Sequence, residues 1–187
     1  MPPKVRITKE EIIKTALEML RKNGEGALNA RSIATELNCS TQPIFSNFAT
    51  MDELRASVIA DAYQLYLDFL KRESESGKYP KYKAFGMAYI RFAKEEKELF
   101  KLLFMRDRTA EDMSSSPDFE ESVKMMMEIN GVTKEKAILM HLEIWACVHG
   151  IGTMLVTSFM PLEWEFISNM LSDVYHGIRS RHTTEEK

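Results

Sequence analysis

The chain has 187 residues, 44% of them hydrophobic, with a net charge of −3, 13 methionines and only 8 glycines and 6 prolines. That length suits one or two small domains, and that composition supports a real core built from helices rather than a turn-rich β fold. The charge excludes a surface coated with nucleic acid, but it is uneven: residues 1–48 hold seven Lys/Arg against five Glu, or +2, and the remainder carries −5, which fits contact with a polyanion at one end only. Cys39 and Cys147 lie far apart and outside any CxxC spacing, so they read as buried free thiols in a reducing cytosol. The N-terminus MPPKVRITKEE lacks the apolar core of a signal peptide. Residues 144–160 contain no Asp, Glu, Lys or Arg, yet the run is short and interrupted by His149, glycine, Thr and Ser. A buried helix is expected there, not a membrane span, and the chain is expected to be cytoplasmic with no membrane partner.

Residues 1–7 read as a disordered arm whose Lys4 and Arg6 either reach phosphates or are simply solvated. The first helix starts at Thr8, where TKEE forms a capping box with Glu11. Ile12, Ile13, Ala16, Leu17 and Leu20 make its buried stripe, and Asn23-Gly24 ends it. Asn29 caps a second, short helix with an apolar face of Ile33, Ala34 and Leu37. Asn38 tolerates left-handed backbone and turns the chain. Ser40 is expected to cap the third helix, with Pro43 in its first turn, where a missing N–H costs little. Ile44 and Phe48 point inward together, which leaves Thr41, Gln42, Phe45, Ser46 and Asn47 outward. Two short helices joined by a tight turn are a helix-turn-helix. Gln and Asn can grip an adenine edge, Thr and Ser can bond bases or phosphates, and apolar groups such as Pro43 can touch a thymine methyl. Such a helix enters the major groove. Arg31 and Ser32 open the second helix, where N–H groups and the helix dipole suit a phosphate. Thr50 begins another capping box with Glu53, and a long fourth helix follows from 51 to about 75, with Leu54, Val58, Ala62, Leu65 and Phe69 at helical spacing.

A fifth helix is expected over 81–96 and a short sixth over 98–105. Residues 109–117 are loop chemistry, and their Ser and Pro signal the start of a seventh helix that ends at Asn130-Gly131. The eighth runs from near Thr133 to about Phe159, apolar almost all round and so expected to be buried on two sides. The ninth starts at Pro161, with Phe166, Met170, Val174 and Ile178 recurring every fourth residue; residues from 179 onward read as a disordered tail. With Leu155 and Phe159 this face suits a four-helix interface with a second copy of the chain. The body is rich in Tyr, Phe and Met. Phe85, Tyr89, Phe104, Met105, Met126, Trp145 and His149 are candidates to line an apolar ligand pocket, and an ordinary core is the other reading of the same residues. His141 and His149 are eight apart, not the i, i+4 pair of a helical zinc site, so no metal is expected. No Gly-rich phosphate loop, nucleophile elbow or carboxylate pair stands out; neither catalysis nor a cofactor is expected.

The segment Ile44-Phe45-Ser46-Asn47-Phe48, preceded by a small-residue turn and followed by Ala49-Thr50-Met51-Asp52-Glu53-Leu54, closely resembles the DNA-binding domain of TetR-family transcriptional regulators. The family usually has Tyr in place of Phe45 and Lys in place of Met51, and both departures remove a backbone contact. Trp145, His149 and Gly150 resemble a W-x-x-x-H-G element of one TetR-like subgroup, and Gly150 and Gly152 would admit a neighbouring helix. The resemblance implies an all-α chain of about nine helices, with a DNA-binding domain over 6–66 and a ligand-binding and dimerisation domain over 67–187. It implies a homodimeric regulator, a repressor, that binds a near-palindromic operator in double-stranded DNA and responds to a small apolar effector. The DNA contacts would come from Arg31, Ser32, Ser40, Thr41, Gln42, Pro43, Phe45, Ser46 and Asn47. Two alternatives stay open: a helical small-molecule carrier or enzyme that retains the N-terminal fold, and a protein-partner module using the last two helices.

Overall fold

The computed structural model describes residues 7–109, 111 and 116–183. The arm expected to carry Lys4 and Arg6 lies outside those residues. Among the described residues there are nine α-helices, one 3₁₀ turn (Glu25–Ala27) and no strand. The helices are α1 (Lys9–Asn23), α2 (Ala30–Glu36), α3 (Gln42–Asn47), α4 (Met51–Glu75), α5 (Lys81–Glu95), α6 (Lys97–Phe104), α7 (Pro117–Asn130), α8 (Lys134–Val156) and α9 (Trp164–Thr183). They form two compact units. The first comprises the chain up to Leu65 together with Glu96–Arg106, and the second comprises Tyr66–Glu95 and the chain from Asp107 onward.

Local chemistry sets the boundaries of the first unit's helices. Thr8 accepts from the Glu11 N–H at 3.1 Å while the Glu11 carboxylate accepts from the Thr8 N–H at 2.8 Å, which satisfies two donors that have no partner inside the helix. Gly24 ends α1 at φ 75°, its N–H bonded to the Leu20 carbonyl at 2.8 Å. A Cβ there would meet the Glu98 carboxylate at 2.9 Å, so backbone and neighbour both favour glycine. Asn29 caps α2 by accepting from the Ser32 N–H at 3.0 Å, and Asn38 turns the chain at φ 51°. Two caps differ from expectation. Thr41, not Ser40, precedes α3, and its side chain forms no cap; Pro43 has already removed one of the N–H groups that a cap would serve. At α4, Thr50 accepts from the Glu53 N–H at 3.1 Å, but the Glu53 carboxylate reaches past Thr50 to the Ala49 N–H at 2.8 Å. That bond, with help from Lys9, holds the Glu53 carboxyl below the usual range.

The core of this unit joins Ile12, Ala16 and Leu20 of α1 to Ile33, Ile44, Phe48, Leu54, Val58 and Ala62. Helix α6 packs on α1 and buries Leu99, Phe100, Leu102 and Leu103. Burying a side chain of that kind contributes roughly 1.5–3 kcal/mol, so α6 is an integral part of this first unit, the head, although it comes from far along the chain. Arg21 grips Glu96, the residue before α6, through Nε at 2.8 Å and through a second bond from its Nη2. The hydrogen bond to Glu96 raises the guanidinium pKa further.

In the second unit α8 packs against α5, α7 and α9. Gly86 sits against α8 and α9: a Cβ there would lie 3.4 Å from both the Leu171 and Val148 side chains. Gly150, expected to admit a helix, faces open space in this chain. Beyond Leu65, which is half-buried, α4 buries Tyr66, Phe69 and Leu70. Three boundaries differ from those expected. Helix α8 stops at Val156 because Ser158 adopts φ 54°, and α9 starts at Trp164, after residues 161–163 have made the link. Helix α9 also continues to Thr183, where Arg181 pairs with Glu143 of α8, so residues 179–183 are helix and not tail. Helix α8 is long and apolar enough to cross a membrane by length and composition. It is not enclosed on every side: Ile144, Val148 and Ile151 face in, while Leu139 and Leu142 are exposed.

Candidate nucleic-acid interface

Ile44 and Phe48 are 0% and 1% exposed, so one side of α3 is wholly committed to the core. The Lys9 ammonium lies 4.7 Å from the Phe48 ring centre and 3.3 Å from the Glu53 carboxylate, which pins α3 and the start of α4 to α1. On the opposite side Ser40, Gln42, Phe45 and Ser46 are exposed, and Thr41, Pro43 and Asn47 are half-buried. The face expected from the sequence is therefore assembled, but its members are not equally available. The Asn47 side-chain nitrogen donates to the Pro43 carbonyl at 2.8 Å and the Ile7 carbonyl at 3.4 Å. A two-point grip on adenine needs the amide's donor as well as its oxygen, so Asn47 offers only its oxygen while those bonds hold. The Ser46 hydroxyl donates to the Gln42 carbonyl at 2.9 Å and can still accept. On α2, Arg31 is exposed, but the Ser32 N–H is already taken by the Asn29 cap, so only the Ser32 hydroxyl remains for a phosphate.

A groove of about 610 Å³ lies beside α1, lined by Ile7, Glu11, Lys14, Met19, Lys22 and Leu37 among others. None of the seven residues expected to hold a ligand lines it. Of those seven, Trp145 and His149 are stacked, ring centres 5.0 Å apart and 17° from parallel. The Tyr89 hydroxyl is 2.8 Å from His149 Nδ1. Burial, then the charge of Arg108, holds His149 below its ordinary pKa, and burial pushes the Tyr89 hydroxyl up. Both shifts favour the uncharged forms, and the Tyr89 hydroxyl and His149 Nδ1 share one hydrogen bond whose direction the imidazole tautomer sets. Beside this pair, Tyr66 donates to Asp118 at 3.2 Å and meets the Tyr89 ring edge-on. Met126 is fully enclosed and Phe85 is half-buried. Phe104 and Met105 belong to the first unit, where Phe104 packs on Phe100 at 5.2 Å.

Sequence reasoning missed a second polar pair. Tyr82 and His141 Nδ1 are 2.9 Å apart, and the Phe119 ring meets the imidazole edge-on at 5.0 Å. Burial lowers His141 to about 4, only partly opposed by Asp118. No local spacing announces a bond between partners 59 residues apart. Among the described residues no group of three or more His, Cys, Asp or Glu is placed to hold a metal ion. Cys39 and Cys147 are free thiols, half-buried rather than enclosed. On α8, α9 and their link, Phe159 is 73% and Phe166 54% exposed, and Leu155, Met170, Val174 and Ile178 are half-buried.

A head with an outward-facing helix-turn-helix and a purely helical body define a class of all-α proteins, and comparison with known proteins narrows it. Residues 82–166 match the family model of the tetracyclin repressor-like C-terminal domain. A TetR-like transcriptional regulator from Rhodococcus sp. RHA1 has a similar structure, with 14% identity, a TM-score of 0.66, and coverage of 94% of this chain and 96% of that one. A member of the TetR family from Streptomyces coelicolor A3 is 15% identical at TM-score 0.61, over 90% of this chain and 98% of that one. The multidrug binding protein EbrR, complexed with imidazole, is 15% identical at TM-score 0.56, over 89% and 88%. No curated protein matches the chain in sequence. The chain has the fold of the TetR-like regulators, and its residues 82–166 match the tetracyclin repressor-like C-terminal domain model.

Proposed function

We propose that this chain is a DNA-binding transcriptional regulator and not an enzyme: a homodimer that represses from a near-palindromic operator and releases it when a small apolar effector binds. One observation carries the reading. The burial of Ile44 and Phe48 turns Thr41, Gln42, Pro43, Phe45 and Ser46 outward on a short helix that follows a tight turn. That surface suits the major groove, with Arg31, Ser32 and Ser46 toward the phosphates and Ser40 at the edge of the face. Phe159 and Phe166, exposed beside Leu155, Met170, Val174 and Ile178, leave an apolar surface of the kind that a two-fold partner covers. Such a dimer carries two α3 helices to half-sites roughly 34–36 Å apart.

The stacked Trp145 and His149 with Tyr89, together with Phe85 and Met126 of the same unit, are the effector contacts in this reading. A multidrug binding protein complexed with imidazole shares the fold, which agrees with an effector of that size. An effector that favours one state of the body biases the DNA-binding equilibrium through its difference in affinity for the two states. The test is selection of bound sequences from random duplex DNA at fixed salt. The expected product is a near-palindrome; a pool that never enriches would remove the regulator reading.

A further inference from the structure

We infer that the half-site read by α3 is rich in A·T pairs and is recognised largely through thymine methyl groups, with Phe45 as the specificity-determining residue. This rests on the DNA-binding reading above and adds the class of sequence to it.

The commonest base-specific contact joins Arg or Lys to the guanine N7 and O6, and Asp or Glu can accept from the cytosine N4. Residues 37–51 contain none of these four side chains, so α3 and its flanking turns present no charged group to a G·C pair. What they do present is Gln42, exposed, with an amide whose donor and acceptor match the adenine N6 and N7. Beside it is Phe45, 50% exposed, the one exposed large apolar side chain on α1 to α5 among the described residues. Gln42, Phe45 and Ser46 stand at i, i+3 and i+4, so they share one helix face. A benzyl group aimed at base edges has one apolar partner in the major groove, the thymine C5-methyl. Lacking a hydroxyl, it has no hydrogen bond to give a phosphate.

The other polar groups of α3 are largely committed. The Asn47 amide nitrogen is bonded to Pro43 and Ile7, and the Ser46 hydroxyl to the Gln42 carbonyl. Discrimination therefore falls to the Gln42 amide, to Thr41, and to the contact between Phe45 and methyl groups.

The full-length protein is used to select sequences from random duplex DNA. The winning duplex is then rebuilt with deoxyuridine in place of each thymidine in turn, which removes only the methyl group. Binding of the wild type, Phe45→Ala and Phe45→Leu is measured at one salt concentration, with circular dichroism of each variant. The expected half-site is mostly A·T. At one or two thymines the wild type loses about 3- to 10-fold in affinity without the methyl, as burial of one or two such groups implies. Phe45→Ala binds the thymidine duplex less tightly and no longer distinguishes the two bases, whereas Phe45→Leu keeps part of the difference. A G·C-rich half-site, or a wild type indifferent to every methyl, overturns this inference and leaves the regulator reading standing. A pool that never enriches overturns both.

Discussion

Gln42 and Asn47 carry the same amide group on the same short helix, and the structure gives them different tasks. Gln42 is exposed, while Asn47 ties the end of α3 to Pro43 and to Ile7. Gln42→Ala and Thr41→Ala are each expected to relax sequence discrimination by about 1–3 kcal/mol in competition binding against point-mutated operators. Asn47→Ala is expected instead to lower the unfolding free energy from urea titration by about 1 kcal/mol, the usual net worth of a hydrogen bond, while leaving the rank order of operators unchanged. His141 gives a separate, pH-dependent effect. Burial lowers its folded-state pKa from 6.5 to about 4, so the unfolded chain takes up a proton first as the pH falls. The stability that the neutral imidazole contributes is complete above 6.5, declines as the pH falls, and is exhausted below about 4, a total of about 3 kcal/mol. His141→Gln, whose side-chain oxygen can still accept from Tyr82, should flatten that limb of the plot of urea midpoint against pH. Residues whose roles are local were readable in advance: Thr8, Asn29 and Asn38 act on backbone within a few positions of themselves. The orientation of Asn47 was not, because its distant partner lies 40 residues earlier in the chain.

The same distinction holds among elements. Capping residues, glycine stops and apolar spacing foretold every helix, and the bounds of α4 were read to the residue. The ends that moved did so where a backbone angle intervened, as at Ser158, where a proline preceded the helix instead of opening it, as at Pro161, or where a distant partner meets the last turn, as Glu143 meets Arg181. The attachment of α6 to α1 had no signal, since it depends on Arg21 meeting Glu96 across 75 residues. That pair is expected to show a coupling of about 1 kcal/mol in a double-mutant cycle of Arg21→Ala and Glu96→Ala followed by urea unfolding. A coupling near zero would mean that the buried leucines and Phe100 alone hold α6 in place. The outward side of α3 was legible because burial of one side of a helix dictates the other. Which Tyr, Phe or Met would line a cavity was not, because these side chains look alike in a packed core and in a cavity wall. Only the stacked Trp145 and His149, one turn apart, could be anticipated from spacing.

At the scale of the whole molecule, the exposed apolar surface of α8, α9 and their link makes the sharpest claim. Phe166→Glu is expected to convert a dimer to a monomer in size-exclusion chromatography with light scattering, and to lower operator affinity, since each half-site is then bound alone. A variant that stays dimeric would move the interface elsewhere. The division into units has a further consequence. The head takes its last helix from Glu96–Arg106, after a stretch that belongs to the body. During synthesis, then, the part of α1 that α6 covers stays open until α6 has left the ribosome, although α2 and α3 can already pack on the rest of α1, and by that time α5 has already emerged. At ordinary elongation rates of about 5–20 residues per second, that wait lasts seconds, long enough for a chaperone to bind the nascent head before α6 closes over it.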